Sequence, residues 1–165
     1  MSSPIVSISV DLDSIECYLR IHGLPDGPAD ETRYVILRRC LPRLAELFGR
    51  HKLRSTLFVV GRDLHEDDQG RTILADLAKQ GHELASHTYS HPYDLVRLPA
   101  ERIAEEIDRA HGAIAEIAPP PVGFRAPGYE ISATVIETLC QRGYRYDSST
   151  FPAIPYYLAK AAVMG

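Results

Sequence analysis

Between Val6 and Asp11 apolar and polar residues alternate: Val6, Ile8 and Val10 fall on one face, and Ser7, Ser9 and Asp11 on the other. A period of two marks a half-buried strand, so a strand is predicted over 5–11, ending at two carboxylates, Asp11 and Asp13. Residues 56–60 are apolar almost without a break and are closed by Gly61. Such a run suits a strand covered on both faces. A short third strand over 83–86 leads into His87, a fourth is predicted over 122–125 and a fifth over 144–147.

Between these strands the period lengthens to that of a helix. Pro42 interrupts a helical pattern between Thr32 and Gly49 and is best placed in the first turn of a helix reaching about Phe48. Ile73, Leu74, Leu77 and Ala78 form a stripe that Gly81 stops. Pro99 opens the clearest helix, with Ile103, Ile107, Ala110, Ile114 and Ile117 on one face until Pro119-Pro120-Pro121 ends it. Ser132 caps a last helix through Ile136 and Leu139 to Gly143. The Gly/Pro-rich residues 22–30 read as a loop.

Strands alternating with helices predict a parallel sheet with right-handed crossovers. The fold class is therefore α/β, in one domain over 1–165, with no internal repeat or linker. About five strand–helix units are visible, fewer than a closed barrel normally needs.

Composition narrows the function. A net charge of −4, with no Lys/Arg cluster, argues against nucleic-acid binding. No apolar run approaches a membrane span, and Met1-Ser2-Ser3-Pro4 carries neither the basic nor the apolar part of a signal peptide. Cys17, Cys40 and Cys140 are odd in number and widely spaced, which fits reduced thiols. These features lead to an expected cytoplasmic location. Glu66-Asp67-Asp68 reads as a solvated acidic loop.

The chemistry collects at strand ends. Asp11 and Asp13 follow the first strand, His87 and His91 the third, Arg125 the fourth and Asp147 the fifth. In parallel α/β folds these ends share one edge, where binding sites form. Taken singly, the aspartates could be caps, Arg125 a surface ion pair, Asp147 a turn former and the histidines unrelated surface residues. Together they favour one site. Two histidines and a carboxylate make an open three-ligand metal site. A second carboxylate, outside the ligand set, can take a proton.

Four motifs resemble those of the polysaccharide deacetylase family, the NodB-homology domain of carbohydrate esterase family four. Ser9-Val10-Asp11-Leu12-Asp13 is similar to the first, His87-Thr88-Tyr89-Ser90-His91 matches the second in full, Arg125-Ala126-Pro127 matches the third, and Tyr146-Asp147-Ser148-Ser149 is similar to the fourth. The similarity runs from about Ile5 to Phe151. It implies a distorted (β/α) barrel, a divalent metal, most often zinc, and hydrolysis of the amide of an N-acetylated sugar. By this resemblance Asp13, His87 and His91 bind metal and Asp11 is the base. Arg125 and Asp147 tune the catalytic groups, and a backbone N–H at Gly128 or Tyr129 holds the oxyanion.

Two features depart from the family pattern. The residue between Asp11 and Asp13 resembles a branch with allantoinase-like and cytoplasmic peptidoglycan-deacetylase-like members, so a small cyclic amide or ureide is the alternative substrate. The family's last motif, with a histidine general acid, lies beyond Phe151. The chain is accordingly expected to be the N-terminal two-thirds of the domain, with the barrel incomplete at its C-terminus and residues 160–164 a helix in mid-course. An assembly of copies could supply the remaining wall, so a homo-oligomer is allowed. An iron(II) oxygenase also uses two histidines and a carboxylate, but the alternating pattern counts against it. A metal or carbohydrate binder without turnover, with Tyr89, Tyr93 and Tyr129 as stacking faces, is the third class.

Overall fold

The computed structural model describes residues 5–24, 30–151, 153–155 and 158. Most of the predicted 22–30 loop and the helix expected at 160–164 lie outside them.

Five parallel strands form one sheet in the order β1-β2-β3-β4-β5: β1 (Ser9–Asp11), β2 (Thr56–Val59), β3 (Glu83–Ser86), β4 (Gly123–Phe124) and β5 (Tyr146–Asp147). Each strand lies beside its predecessor in sequence, which is the winding of a barrel and not of a doubly wound sheet. All strand C-termini therefore open on one rim. The α-helices are α1 (Ile15–Ile21), α2 (Asp30–Arg33), α3 (Leu41–Arg50), α4 (Gly61–Glu66), α5 (Asp68–Lys79), α6 (Ala100–Ala115) and α7 (Ala133–Gln141).

The unbroken apolar run of β2 is explained by its two faces. Leu57 and Val59 join the core formed with Leu37, Leu41, Leu64, Leu74, Leu77 and Ile114. Phe58 points the other way, 1% exposed, beneath the Arg125 guanidinium. On α6, Ile103, Ile107, Ala110 and Ile114 are buried as their spacing predicts. Leu95, Ile103, Ile107, Phe124, Val135 and Leu139 make a second core that ties α6 and α7 to β4. Ser132 caps α7 by accepting the Val135 N–H.

Some expectations need correction. Strand β1 begins only at Ser9, because its register starts at Ser9 opposite Thr56; Ile5 and Val6 are exposed. Gly61 starts a helix, α4, that the sequence reading missed. Pro42 does sit in the first turn of α3, but a π-helical segment, Ile36–Cys40, runs directly into it, with the Leu41 N–H reaching the Ile36 carbonyl. This wider turn lets the path continue around a residue with no N–H to give. The acidic run is not a solvated loop. Asp67 is fully buried and ion-paired with Arg38 at 3.0 Å, Glu66 pairs with Arg33 at 2.6 Å, and Asp68 opens α5.

Candidate metal centre and catalytic site

Leu12, between the two aspartates, explains their placement. Its side chain is 2% exposed in the main core, and its N–H bonds the Phe58 carbonyl at 3.0 Å. Side chains two apart in extended chain share a side, so anchoring Leu12 inward sends Asp11 and Asp13 together to the rim.

The two aspartates then take different partners. Asp13 Oδ1 lies 3.2 Å from His87 Nε2 and 3.4 Å from His91 Nε2. One ligand atom from each of the three residues falls within 4.8 Å of the others. The His87 ring is oriented from behind, with Nδ1 2.7 Å from the Arg125 carbonyl. A carbonyl only accepts, so Nδ1 donates to it and Nε2 is the ring nitrogen turned to the cluster.

These residues fit a cation. Asp13 Oδ1 and His91 Nε2 are buried and have no hydrogen-bond partner among the described residues, a costly state for polar atoms unless an ion completes it. Burial alone would raise the Asp13 carboxyl, but its contacts with His87 and His91 more than reverse this and hold it below the usual carboxylate range. Burial lowers His91, yet Asp13 and Cys17 push it up to about 10. The pocket thus stabilises positive charge against Asp13.

Asp11 faces the other half of the site. Its Oδ1 accepts from Arg125 Nη1 at 2.6 Å and its Oδ2 from the Tyr129 hydroxyl at 2.9 Å. Arg125 is itself fixed, donating to Ser9 Oγ, the Ser148 carbonyl and Ser148 Oγ, with its guanidinium carbon 4.0 Å from the centre of the Phe58 ring. Burial and the neighbouring Asp11 push the Tyr129 phenol up to about 12, so it stays a donor.

Asp147 does not reach Asp11 in this way. Its two oxygens accept from the Ser149 N–H and hydroxyl, and Ser149 Oγ in turn accepts the Ala126 N–H. It shapes the Ser148-Ser149 turn whose Ser148 accepts from Arg125, which is the turn-forming reading. Of the two predicted oxyanion amides, that of Tyr129 is already given to the Ala126 carbonyl at 3.1 Å. Tyr129 enters the site through its hydroxyl instead. The sequence reading missed this hydroxyl, the Arg125 carbonyl and Ser148. Only the Ser-Ser pair after Asp147 hinted at any of them.

A cavity of about 470 Å³ opens beside His91, with Cys17, Arg20, Tyr93 and Arg97 among its walls. A second, of about 370 Å³, lies beyond Tyr129. The three cysteines are free thiols. Among the described residues no helix is long and apolar enough to cross a membrane.

A parallel barrel-type sheet with an Asp-His-His cluster at its C-terminal rim defines a class of α/β proteins with a candidate metal centre. Within that class, the polysaccharide deacetylase family model matches residues 26–146, and the chain belongs to that family. A peptidoglycan deacetylase of Helicobacter pylori is 28% identical over 158 residues, covering 93% of this chain and 53% of the relative. A chitooligosaccharide deacetylase of Rhizobium leguminosarum is 33% identical over 88 residues, 53% of this chain and 37% of that protein. Among solved structures, a Mycobacterium smegmatis protein assigned as a polysaccharide deacetylase superposes with a TM-score of 0.73 at 26% identity, covering 90% of this chain and 54% of its own. The chain spans about half the length of the first two relatives it matches across most of its own length.

Proposed function

We propose that this chain carries the metal-binding half of a hydrolase that removes acetyl groups from N-acetylated sugars. The observation that carries the reading is the division between two neighbouring aspartates. Asp13 closes a three-ligand cluster with His87 and His91, while Asp11 is held outside it by Arg125 and Tyr129. Asp13, His87 and His91 hold a divalent ion, and zinc suits two imidazoles and one carboxylate with a position left open. Such an ion polarises an amide carbonyl and makes water more acidic.

Asp11 is the proton acceptor. Arg125 and Tyr129 each donate to one of its oxygens, which fixes its orientation towards the cluster. Arg125 needs the turn shaped by Asp147 and Ser149 to stay in place. The cavity beside His91 gives a sugar access to the cluster. Relatives named for peptidoglycan and chitooligosaccharides support a carbohydrate over the cyclic ureide alternative. Free cysteines support a reducing, cytoplasmic setting.

The test is acetate release from chitooligosaccharides and from peptidoglycan, against ring-opening of allantoin, by protein loaded with zinc. Acetate release that Asp11→Asn abolishes supports the assignment. Ring-opening alone would move the substrate to the ureide class, and binding without turnover would make the chain a carbohydrate binder.

A further inference from the structure

Glu106 is a carboxylate on the buried face of α6, between Ile103 and Ile107 and only 5% exposed. Among the described residues its side-chain hydrogen bonds go to Tyr89 and Ser90, not to Asp11 or the three ligand residues. Its Oε2 accepts the N–H of Tyr89 at 3.0 Å and of Ser90 at 2.8 Å, and its Oε1 accepts the Ser90 hydroxyl at 2.7 Å. Tyr89 and Ser90 lie in the segment joining His87 to His91.

That segment is neither helix nor strand, and it bends sharply. Thr88 has φ +65° and His91 φ +57°, in the left-handed region that L side chains seldom adopt and a β-branched threonine least of all. Strained backbone persists at functional sites only where surrounding contacts over-determine it. Here α4 supplies two such contacts, with the Gly61 N–H donating to the Thr88 carbonyl and the Arg62 N–H to the Tyr89 carbonyl. Thr88 Oγ1 adds another by accepting the His91 N–H. Glu106 supplies three more, all on Tyr89 and Ser90 between the imidazoles, and Arg20 Nη1 donates to the Ser90 carbonyl at 3.3 Å. Successive N–H groups turned to one side form a concave anion site, and here the protein fills it with its own carboxylate.

We propose that Glu106 is a positioning residue of the metal centre. By clamping Tyr89 and Ser90 it sets the spacing of the His87 and His91 rings, and so the affinity of the site for a divalent ion. This rests on the reading that Asp13, His87 and His91 hold that ion. Partners lying behind metal ligands commonly contribute 10- to 100-fold in metal affinity.

The experiment measures Zn²⁺ affinity of the full chain by chelator competition, and the visible spectrum of the Co²⁺ form, for wild type, Glu106→Gln, Ser90→Ala and Glu105→Gln. Apo-protein thermal melts are run alongside. Glu106→Gln keeps the volume but removes the charge, leaving one neutral acceptor oxygen for the two N–H groups and an amide donor that the Ser90 hydroxyl must reverse to accept. It should weaken Zn²⁺ binding by about 10- to 100-fold and alter the Co²⁺ spectrum at saturation, with an apo melt that stays cooperative. Ser90→Ala, which removes only the Oε1 bond, should show the same spectral change with a smaller loss of affinity. Glu105→Gln, a half-buried neighbour whose carboxylate pairs with Arg102 and Arg109 and not with Tyr89 or Ser90, should match wild type. Wild-type affinity and an unchanged spectrum in Glu106→Gln overturn the proposal. So does a Glu106→Gln that fails to fold while Ser90→Ala keeps the wild-type spectrum, since Glu106 would then be structural only. A wild type that binds no ion fails the underlying reading instead.

Discussion

Asp11 and Asp13 stand two residues apart at the end of one strand and answer to different partners: Arg125 and Tyr129 bond the first, while His87 and His91 face the second. The core side chain of Leu12 is what turns both to the same rim. If the first is the proposed base and the second the proposed ligand, the two should fail in different ways.

In a full-length protein, Asp11→Asn should lower deacetylation by about two to four orders of magnitude, the usual contribution of a general base, and added metal should not restore it. Asp13→Asn replaces a charged ligand with a neutral one, so its lost activity should partly return in excess metal. Turnover across a zinc titration separates the two. Rescue of Asp11→Asn and not of Asp13→Asn would reverse the roles.

Arg125→Lys should lower activity by about 100-fold or more while leaving metal content unchanged. A single ammonium cannot keep the four acceptors that the guanidinium fork spans, on Asp11, Ser9 and Ser148. Elemental analysis beside a turnover assay checks both halves. Full activity in Arg125→Lys would show that Asp11 needs only a nearby positive charge.

Much of this site was legible in the sequence because its parts sit at strand ends, and strand ends follow from hydrophobic periodicity. The D-x-D spacing, the H-x-x-x-H segment and Arg125 could be placed that way. Tyr129's hydroxyl could not, because its approach to Asp11 depends on a positive-φ turn at Gly128 and Tyr129. Nor could Glu106. It lies on the same helical face as Ile103 and Ile107, and a charged residue inside an apolar stripe was the one available signal. Asp67 misled for a related reason: local composition looked solvated, whereas its partner Arg38 is 29 residues away.

Gly61 was read as a strand stop, yet its missing side chain also matters to packing. A Cβ there would lie 2.8 Å from the Ala110 backbone on α6 and 3.1 Å from the Tyr89 ring. Gly61→Ala should therefore destabilise the fold by about 1–3 kcal/mol, the common cost of overpacking. Urea denaturation measures it, and wild-type stability would mean that α4 and α6 can separate without loss.

Asp63 on α4 is 2% exposed, and neither carboxylate oxygen has a hydrogen-bond partner among the described residues. Burial, with Glu66 adding to it against an opposing Arg62, pushes its carboxyl up to about 7 from an ordinary 3.8. A raised carboxyl favours the folded state only while protonated. Its contribution is therefore present below the unfolded value and lost as pH rises from about 4 to about 7, at about 1.4 kcal/mol per unit. Asp63→Asn should be no more stable than wild type at pH 4 and clearly more stable at pH 8. Denaturation curves at the two pH values check the sign, and a gain that shrinks with rising pH would refute it.

The central claim is that Asp13, His87 and His91 form one divalent metal site, and metal stoichiometry addresses it most directly. Apo protein is titrated with Zn²⁺ by calorimetry for wild type, Asp11→Asn, His87→Ala and His91→Ala. One tightly bound ion per chain is expected in wild type and in Asp11→Asn, with stoichiometric binding lost in both histidine variants. An ion retained at wild-type affinity by His87→Ala and His91→Ala would contradict the account, as would a wild type that takes up no ion at all.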